Sequence, residues 1–255
     1  MTMSTTAFAA ENPAEVFDRV MEKNNTIQSA EIQSGVHSVI LAKDVIPDGQ
    51  MKVDMAMHAE MDMQDTTDLK YLAQVASSIL GQDSYSQVFY TDGYYYVDAN
   101  GVKLKYPMPL EQIISSVQTG VNTSNMESSY MKGISLNEVN GKRVLAYEAN
   151  PKKLNKNVKE ALGTVMNTLG TDVNLDMNIQ EMKGAYVLDD NDYIIYMTNY
   201  IVYNMEVLDQ PMTCITLMET EVQNPGEPVV VTLPSTDGYE DLIGLYDGVI
   251  ESEVE

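Results

Sequence analysis

The chain has 255 residues, 44% of them hydrophobic, so it can bury a sizeable core. It carries 38 acidic and 15 basic residues, a formal net charge of -23. The segment after Lys183 contains 15 Asp and Glu residues and no Lys or Arg. Such a charge repels phosphate backbones and anionic lipid surfaces, which argues against nucleic-acid binding and strong binding to anionic membranes.

The first residues resemble the end of a secretory signal peptide. Ala7, Phe8 and Ala9 form an A-x-A cleavage signature. The sequence therefore predicts an exported protein, secreted or on the cell-envelope exterior of a bacterium. Residues 1–9 would be the remainder of the signal peptide, and residues 10–255 a single domain with an acidic C-terminal tail. An ordinary flexible N-terminus is the alternative.

A helix is predicted from Asn12 to about Lys23. Asn12 is a good N-cap, Pro13 suits the first helical position and Glu15 completes a capping box. Strand patterns follow at 26–43 and 51–63, joined by a turn.

The rest of the chain alternates between helical and strand patterns. Helices are predicted at 68–80, 110–118 and 151–169, where apolar residues recur with helical spacing. Hairpins are predicted where Asp92-Gly93, Asn100-Gly101 and Asn140-Gly141 supply two-residue turns. Further strands are predicted at 173–188, 193–208, 212–223 and 229–233. Short helices among long antiparallel strands indicate an α+β fold, a large curved sheet with helices on one face.

The order of these elements resembles the LolA-like lipoprotein-carrier fold, in particular its Gram-positive secreted and lipoprotein members of unknown function. The resemblance spans about Asn12 to Asp241 and is carried by the hairpin "VFYTDGYYYVDANGVKLKYPM" and the segment "VVVTLP". It implies an open, unclosed antiparallel β-barrel, with helices covering a concave apolar face that holds acyl chains in the carriers. No ligand-contacting residue of the carriers can be matched to a position in this sequence.

Strand 51–63 is the main candidate for a binding surface. Met51, Met55, Met57, Met61 and Met63 all fall on one side of a strand that alternates between apolar and polar residues. Three interpretations compete: a packed core, a core that also borders a cavity for an apolar ligand, and a thioether site for Cu(I). No imidazole faces the methionines, because His58 points to the opposite side. We therefore expect no metal and no cofactor, with Met57 buried and His58 exposed.

Other residue clusters are interpreted as structural. The tyrosines at 90 and 94–96 and those between Tyr193 and Tyr203 are expected to form cross-strand pairs, with carbohydrate stacking as the alternative. The acidic turn 189–192 is expected to be a solvated hairpin turn, with Ca²⁺ binding as the alternative. Cys214, the only cysteine, lies in an alternating strand and is expected to be buried.

The chain contains no G-x-S-x-G, H-E-x-x-H, P-loop or G-x-G-x-x-G motif, and a non-enzymatic protein is expected. The sequence favours an exported binding protein that sequesters a hydrophobic small molecule or lipid in a half-barrel. The alternative is an extracellular structural or interaction domain whose cavity is filled by its own helices.

Overall fold

The computed structural model describes residues 11–42, 46, 48–65, 68–109, 126–156, 177–207 and 210–242. Helical structure includes α1 (Pro13–Asn24), a 3-10 turn (Ser128–Tyr130) and residues 151–156. The strands are β1 (Ser29–Leu41), β2 (Gln50–Asp62), β3 (Lys70–Ile79), β4 (Gln82–Thr91), β5 (Tyr94–Ala99), β6 (Val102–Pro107), β7 (Met131–Val139), β8 (Lys142–Ala149), β9 (Asn178–Leu188), β10 (Ile194–Val207), β11 (Gln210–Gln223) and β12 (Glu240–Asp241). The predicted helix 110–118, most of the predicted helix 151–169, residues 1–9 and the end of the acidic tail lie outside the described residues.

All these strands belong to one sheet, in the order β12-β6-β5-β4-β3-β2-β1-β11-β10-β9-β8-β7. Neighbours are antiparallel except β12, which lies parallel to β6. The pairing of β1 with β11 joins two meanders, β1–β6 and β7–β11, at the middle of the sheet. The described part is mostly β, a large, curved and unclosed antiparallel sheet as predicted, with less helix than an α+β class implies.

The hairpin turns form where the sequence predicts them. Asn100 and Gly101 have φ of 51° and 87°, and Asn140 and Gly141 have φ of 52° and 73°. Both central residues of these turns lie in the left-handed region, which Asn and Gly adopt at low cost and which matches the twist of the flanking strands. These turns fix the register of β5 with β6 and of β7 with β8.

Helix α1 begins as predicted. The Asn12 side chain accepts a hydrogen bond from the Ala14 amide (3.1 Å) and donates one to Glu15 Oε1 (3.1 Å). The buried side of the helix packs against the sheet, and the Phe17 ring lies 5.8 Å from the Tyr147 ring, centroid to centroid. Apolar burial and ring packing therefore hold α1 over β8 and β9.

The prediction of a helix at 68–80 is wrong, because these residues form β3. Leu72 and Ala73 are adjacent in sequence and both are buried, each in a different apolar cluster on its own side of the sheet. Consecutive apolar residues on a strand covered on both faces imitate helical spacing. Leu80 and Gly81, with φ of 52° and 75°, form a hairpin turn rather than a helix C-cap.

The prediction of a strand at 229–233 is also wrong. Residues 228–236 have no helix or strand, and this segment crosses the sheet instead of joining it. Val231 is buried against a cluster that includes Leu72 and Phe89. The segment covers the second face of β3 and β4, which explains why Leu72 is buried on that side.

Candidate functional site

The methionines of β2 share one side of the sheet, which we call the methionine face. Met51, Met55, Met57 and Met61 alternate with residues on the other side, and Met63 follows the end of the strand. Along the register, Met57 pairs with Ser34, Ser34 with Thr220, Thr220 with Met197 and Met197 with Tyr186. Tyr186 packs against Phe17 of α1. Helix α1 therefore lies on the methionine face, at the β8–β9 end.

One end of the methionine strand is core. Met61 is 1% exposed and Met63 is 3% exposed, and both belong to a cluster with Leu69, Ala73 and Tyr90. Packing within the protein explains the burial of these two methionines, so their presence is not evidence for a ligand.

The other end of the strand is open in the described part of the chain. Met55 is 40% exposed, and Met51 and Met57 are half-buried. The prediction that Met57 is buried and His58 exposed is wrong, because both side chains are half-buried. The Glu60 side chain partly shields His58, with its Oε1 atom 3.2 Å from His58 Nε2.

Neighbouring strands extend the apolar surface around Met55. Val36 of β1 pairs with Met55, and Met218 of β11 pairs with Val36, whereas the partner of Met55 on β3 is the polar Ser77. Ile79, in the next row of β3, is 43% exposed. Sequence reasoning missed the contribution of β3 because it took these residues for a helix. The alternation of Tyr71, Ala73, Val75, Ser77 and Ile79 was the available signal.

A buried polar pair lies beneath the apolar surface towards α1. Asn199 is 4% exposed, and the Tyr147 hydroxyl donates a hydrogen bond to its Oδ1. Burial raises the pKa of Tyr147 well above its ordinary value, so the phenol remains a donor at physiological pH. A Cβ at Gly184 would lie 2.6 Å from Asn199 Oδ1 and 2.9 Å from the Tyr147 hydroxyl. Glycine at 184 therefore makes room for this pair.

The other side of the sheet, which we call the polar face, carries a shallow open trough of about 610 Å³. Its floor is formed by small residues that pair across three adjacent strands, Gly35 with Ala56 and Ala56 with Ala76. Tyrosines lie at both ends, and glutamine, glutamate and histidine side chains line one side. Ser34 and Met57, whose register places them on the methionine face, also border the trough. The trough was not foreseen, because it depends on the register between strands.

The acidic turn between β9 and β10 is more than a solvated loop. The Asp192 carboxylate accepts hydrogen bonds from Arg19 of α1 and from Arg143 of β8, and Glu11 contacts both arginines. Asp192 has a φ of 67°, a conformation that Asp tolerates better than most residues. The turn thus ties α1 to the sheet.

The tyrosines near the β4–β5 hairpin pack together as expected. The Phe89 and Tyr96 rings stack with centroids 4.6 Å apart, and Tyr239 meets both rings edge-on. Cys214 is buried as predicted, 1% exposed, and burial raises the pKa of its thiol. Both features belong to packing.

The described residues contain neither a metal-binding cluster nor a helix that could cross a membrane. No group of three or more His, Cys, Asp or Glu side chains there is placed to hold a metal ion. No helix in the described part of the chain is long and apolar enough to span a bilayer.

The fold and the two faces define a class: mostly-β proteins built on a large, curved, unclosed antiparallel sheet. Residues 12–234 match the model of a family of unknown function, DUF6612, and the chain belongs to that family. A search of curated proteins gave no significant match.

Three solved structures are similar over most of the chain, each with 10% sequence identity. LprF from Mycobacterium bovis aligns with a TM-score of 0.37 over 88% of this chain and 97% of its own. A β-barrel-like protein of DUF1849 from Brucella abortus aligns with a TM-score of 0.26 over 78% and 100%. A putative AttH from Nitrosomonas europaea aligns with a TM-score of 0.27 over 93% and 60%. These likenesses are too distant to assign a ligand or an activity.

Proposed function

We propose that this protein is a non-catalytic binding protein that holds an apolar, lipid-like molecule against the methionine face. The observation that carries the proposal is the apolar surface centred on Met55, which is 40% exposed beside Ile79, 43% exposed. Contiguous exposed apolar side chains favour association, because covering them removes apolar area from water. A bound apolar molecule would provide that cover.

The type of side chain supports a ligand of variable shape. Met51, Met55, Met57 and Met218 contribute unbranched, polarizable thioethers to this surface, and such side chains adapt to irregular apolar partners. The net charge of -23 disfavours a strongly anionic head group. The ligand class that fits is therefore an acyl or isoprenoid chain without an anionic head group.

The wider proposal is that the fold is LolA-like, with helices covering the concave side of the open barrel. Helix α1 on the methionine face supports this arrangement at one end of the sheet. We also propose export to the exterior of a bacterial cell, on the basis of the A-x-A signature at Ala7–Ala9. N-terminal sequencing of the native protein should find cleavage near Ala9. Retention of residues 1–9 would argue against export by this route.

A displacement titration tests the binding. The neutral dye N-phenyl-1-naphthylamine should fluoresce on binding the protein, and dodecanol should displace it saturably. The double variant Met55→Gln/Met57→Gln keeps the side-chain length but removes about 2 kcal/mol of apolar contact. Dodecanol should then bind about thirtyfold more weakly.

Ala56→Gln is the matched control, since Ala56 lies between the two methionines but on the polar face. It should bind dodecanol like the unmodified protein. Equal losses in both variants, or an absence of saturable binding, would contradict the proposal. The alternative, an interaction domain without a small-molecule ligand, would then be favoured.

A further inference from the structure

The glycine in the middle of β1 has no structural explanation in its own surroundings. Gly35 lies at the centre of a central strand. Glycine weakens a strand there, because its backbone loses more conformational entropy on folding than other residues and it has no side chain to pack. Its φ is not in the left-handed region, and its pairing with β2 and β11 is continuous, without a bulge. A Cβ built on it would meet only His37 Nε2, at 4.0 Å.

The other glycines within the described strands do have such explanations. Gly184 makes room for Asn199 and Tyr147. Gly133 adjoins a register shift between β7 and β8. Gly35 differs from Gly184 because the space above it, on the polar face, is open. It differs from Gly133, which also faces open space, because its pairing with both neighbouring strands is continuous. A strand glycine of this kind is typical of a place where a ligand approaches the backbone.

That open space is the floor of the trough. Gly35 pairs with Ala56, Ala56 with Ala76, and Ala76 with Tyr85, while Glu219 pairs with Gly35 on the other side. The row crosses five strands, so it is about 19 Å long at the usual spacing between strands. Ala56 is exposed. The trough is therefore long and narrow rather than a round pocket.

A parallel row of polar side chains lines one side of the trough. Gln33 pairs with His58 and His58 with Gln74, so amides and an imidazole stand side by side above the floor. Tyr85 is 44% exposed at one end. At the other end the Tyr196 hydroxyl donates to Glu219 (2.8 Å). The trough thus alternates hydrogen-bond donors with acceptors and offers aromatic surface at its ends.

We propose that the trough binds a short, uncharged oligosaccharide. Sugar hydroxyls both donate and accept, which suits neighbouring amides, carboxylates and imidazole, and the apolar side of a sugar ring suits an exposed tyrosine. The carboxylates of Glu219 and Glu221 in the lining disfavour an anionic polymer. An apolar ligand does not fit, because it would displace water from the glutamate, glutamine and histidine side chains of this lining and offer no hydrogen bonds in return.

Isothermal titration with tetra-N-acetylchitotetraose, cellotetraose and, separately, spermidine tests the proposal. At least one oligosaccharide should bind saturably. Ala56→Gln, which fills the floor, should weaken that binding at least about tenfold, whereas Met55→Gln on the opposite face should leave it unchanged. Binding of spermidine alone would overturn the proposal in favour of a cation site. Failure of both sugars, or equal binding by Ala56→Gln, would overturn it as well.

Gly35→Ala separates a binding role from a structural one. Because the space above Gly35 is open, alanine should raise the melting temperature by about 1–4 °C while weakening the oligosaccharide. A lower melting temperature would mean that the glycine serves the fold, which would contradict the inference. Gly35→Ala and Ala56→Gln change only the polar face, so failure of the oligosaccharide proposal leaves the lipid proposal standing, and the reverse.

Discussion

The ion-pair cluster at Asp192 provides the sharpest stability prediction. The side chain of Asp192 is 16% exposed and bonds to Arg19 Nε (2.8 Å) and to Arg143. Asp192→Asn keeps the shape and the tolerance of positive φ, but it leaves the two guanidinium groups facing each other with less compensation. Charge-assisted hydrogen bonds contribute about 1.5–3 kcal/mol each when shielded. Since both arginines are partly exposed, we expect a total loss of about 2 kcal/mol in the free energy of unfolding.

Urea unfolding followed by circular dichroism measures this loss. With an m-value of about 3 kcal/mol/M for a chain of this size, the midpoint should fall by about 0.7 M. Asp190→Asn is the control, because Asp190 is an exposed residue of the same turn. Its midpoint should stay within about 0.2 M of the unmodified protein. Equal midpoints for the two variants would refute the reasoning.

The same cluster gives a pH dependence with a definite sign. Burial alone would raise the pKa of Asp192, but the hydrogen bonds and charges of Arg19 and Arg143 outweigh it and hold the pKa below its ordinary value. The stabilisation is therefore present above the unfolded carboxyl pKa of about 4 and is lost as pH falls through the lower folded value. The difference between the unmodified protein and Asp192→Asn should shrink in that acidic range. A difference that grows there would contradict the assignment.

Three further predictions concern buried groups. Met61→Asp should destabilise the protein by more than about 4 kcal/mol, because it buries a charge in a packed cluster. His58→Asp should cost under about 1 kcal/mol. Similar melting temperatures for the two variants would exclude the register of β2 against β1 and β3. Tyr147→Phe should cost about 1–3 kcal/mol, because it leaves the buried Asn199 carbonyl without its donor, and a chemical unfolding curve unchanged from that of the parent would count against this. Cys214 should resist a thiol reagent such as dithionitrobenzoate until the protein unfolds, and rapid labelling of the native protein would disprove its burial.

Local signals in the sequence predicted most of the hairpins. The pairs Asn100-Gly101 and Asn140-Gly141 specify turns through their own backbone preferences, so they could be recognised without knowing what packs against them. The N-cap at Asn12 is equally local. The alternation of β2 determined the side on which its methionines lie.

Features that depend on distant parts of the chain could not be predicted in this way. Strand β3 has apolar residues on both sides because the segment around Val231 covers one of them, and nothing near residue 72 signals that cover. The exposure of Met55 and the burial of Met61 differ although their local patterns are alike, because different neighbours pack on each. The trough likewise exists only through the alignment of Gly35 with residues of neighbouring strands.

Methyl NMR of the methionines tests the central claim most directly. The protein has 18 methionines, which can be labelled with ¹³C at the ε-methyl group and assigned by substitution. During titration with dodecanol, the signals of Met55 and Met57 should shift saturably, while that of Met21, on the buried side of α1, should not. No shift at Met55 or Met57, or shifts confined to methionines outside the methionine face, would contradict binding of an apolar ligand there.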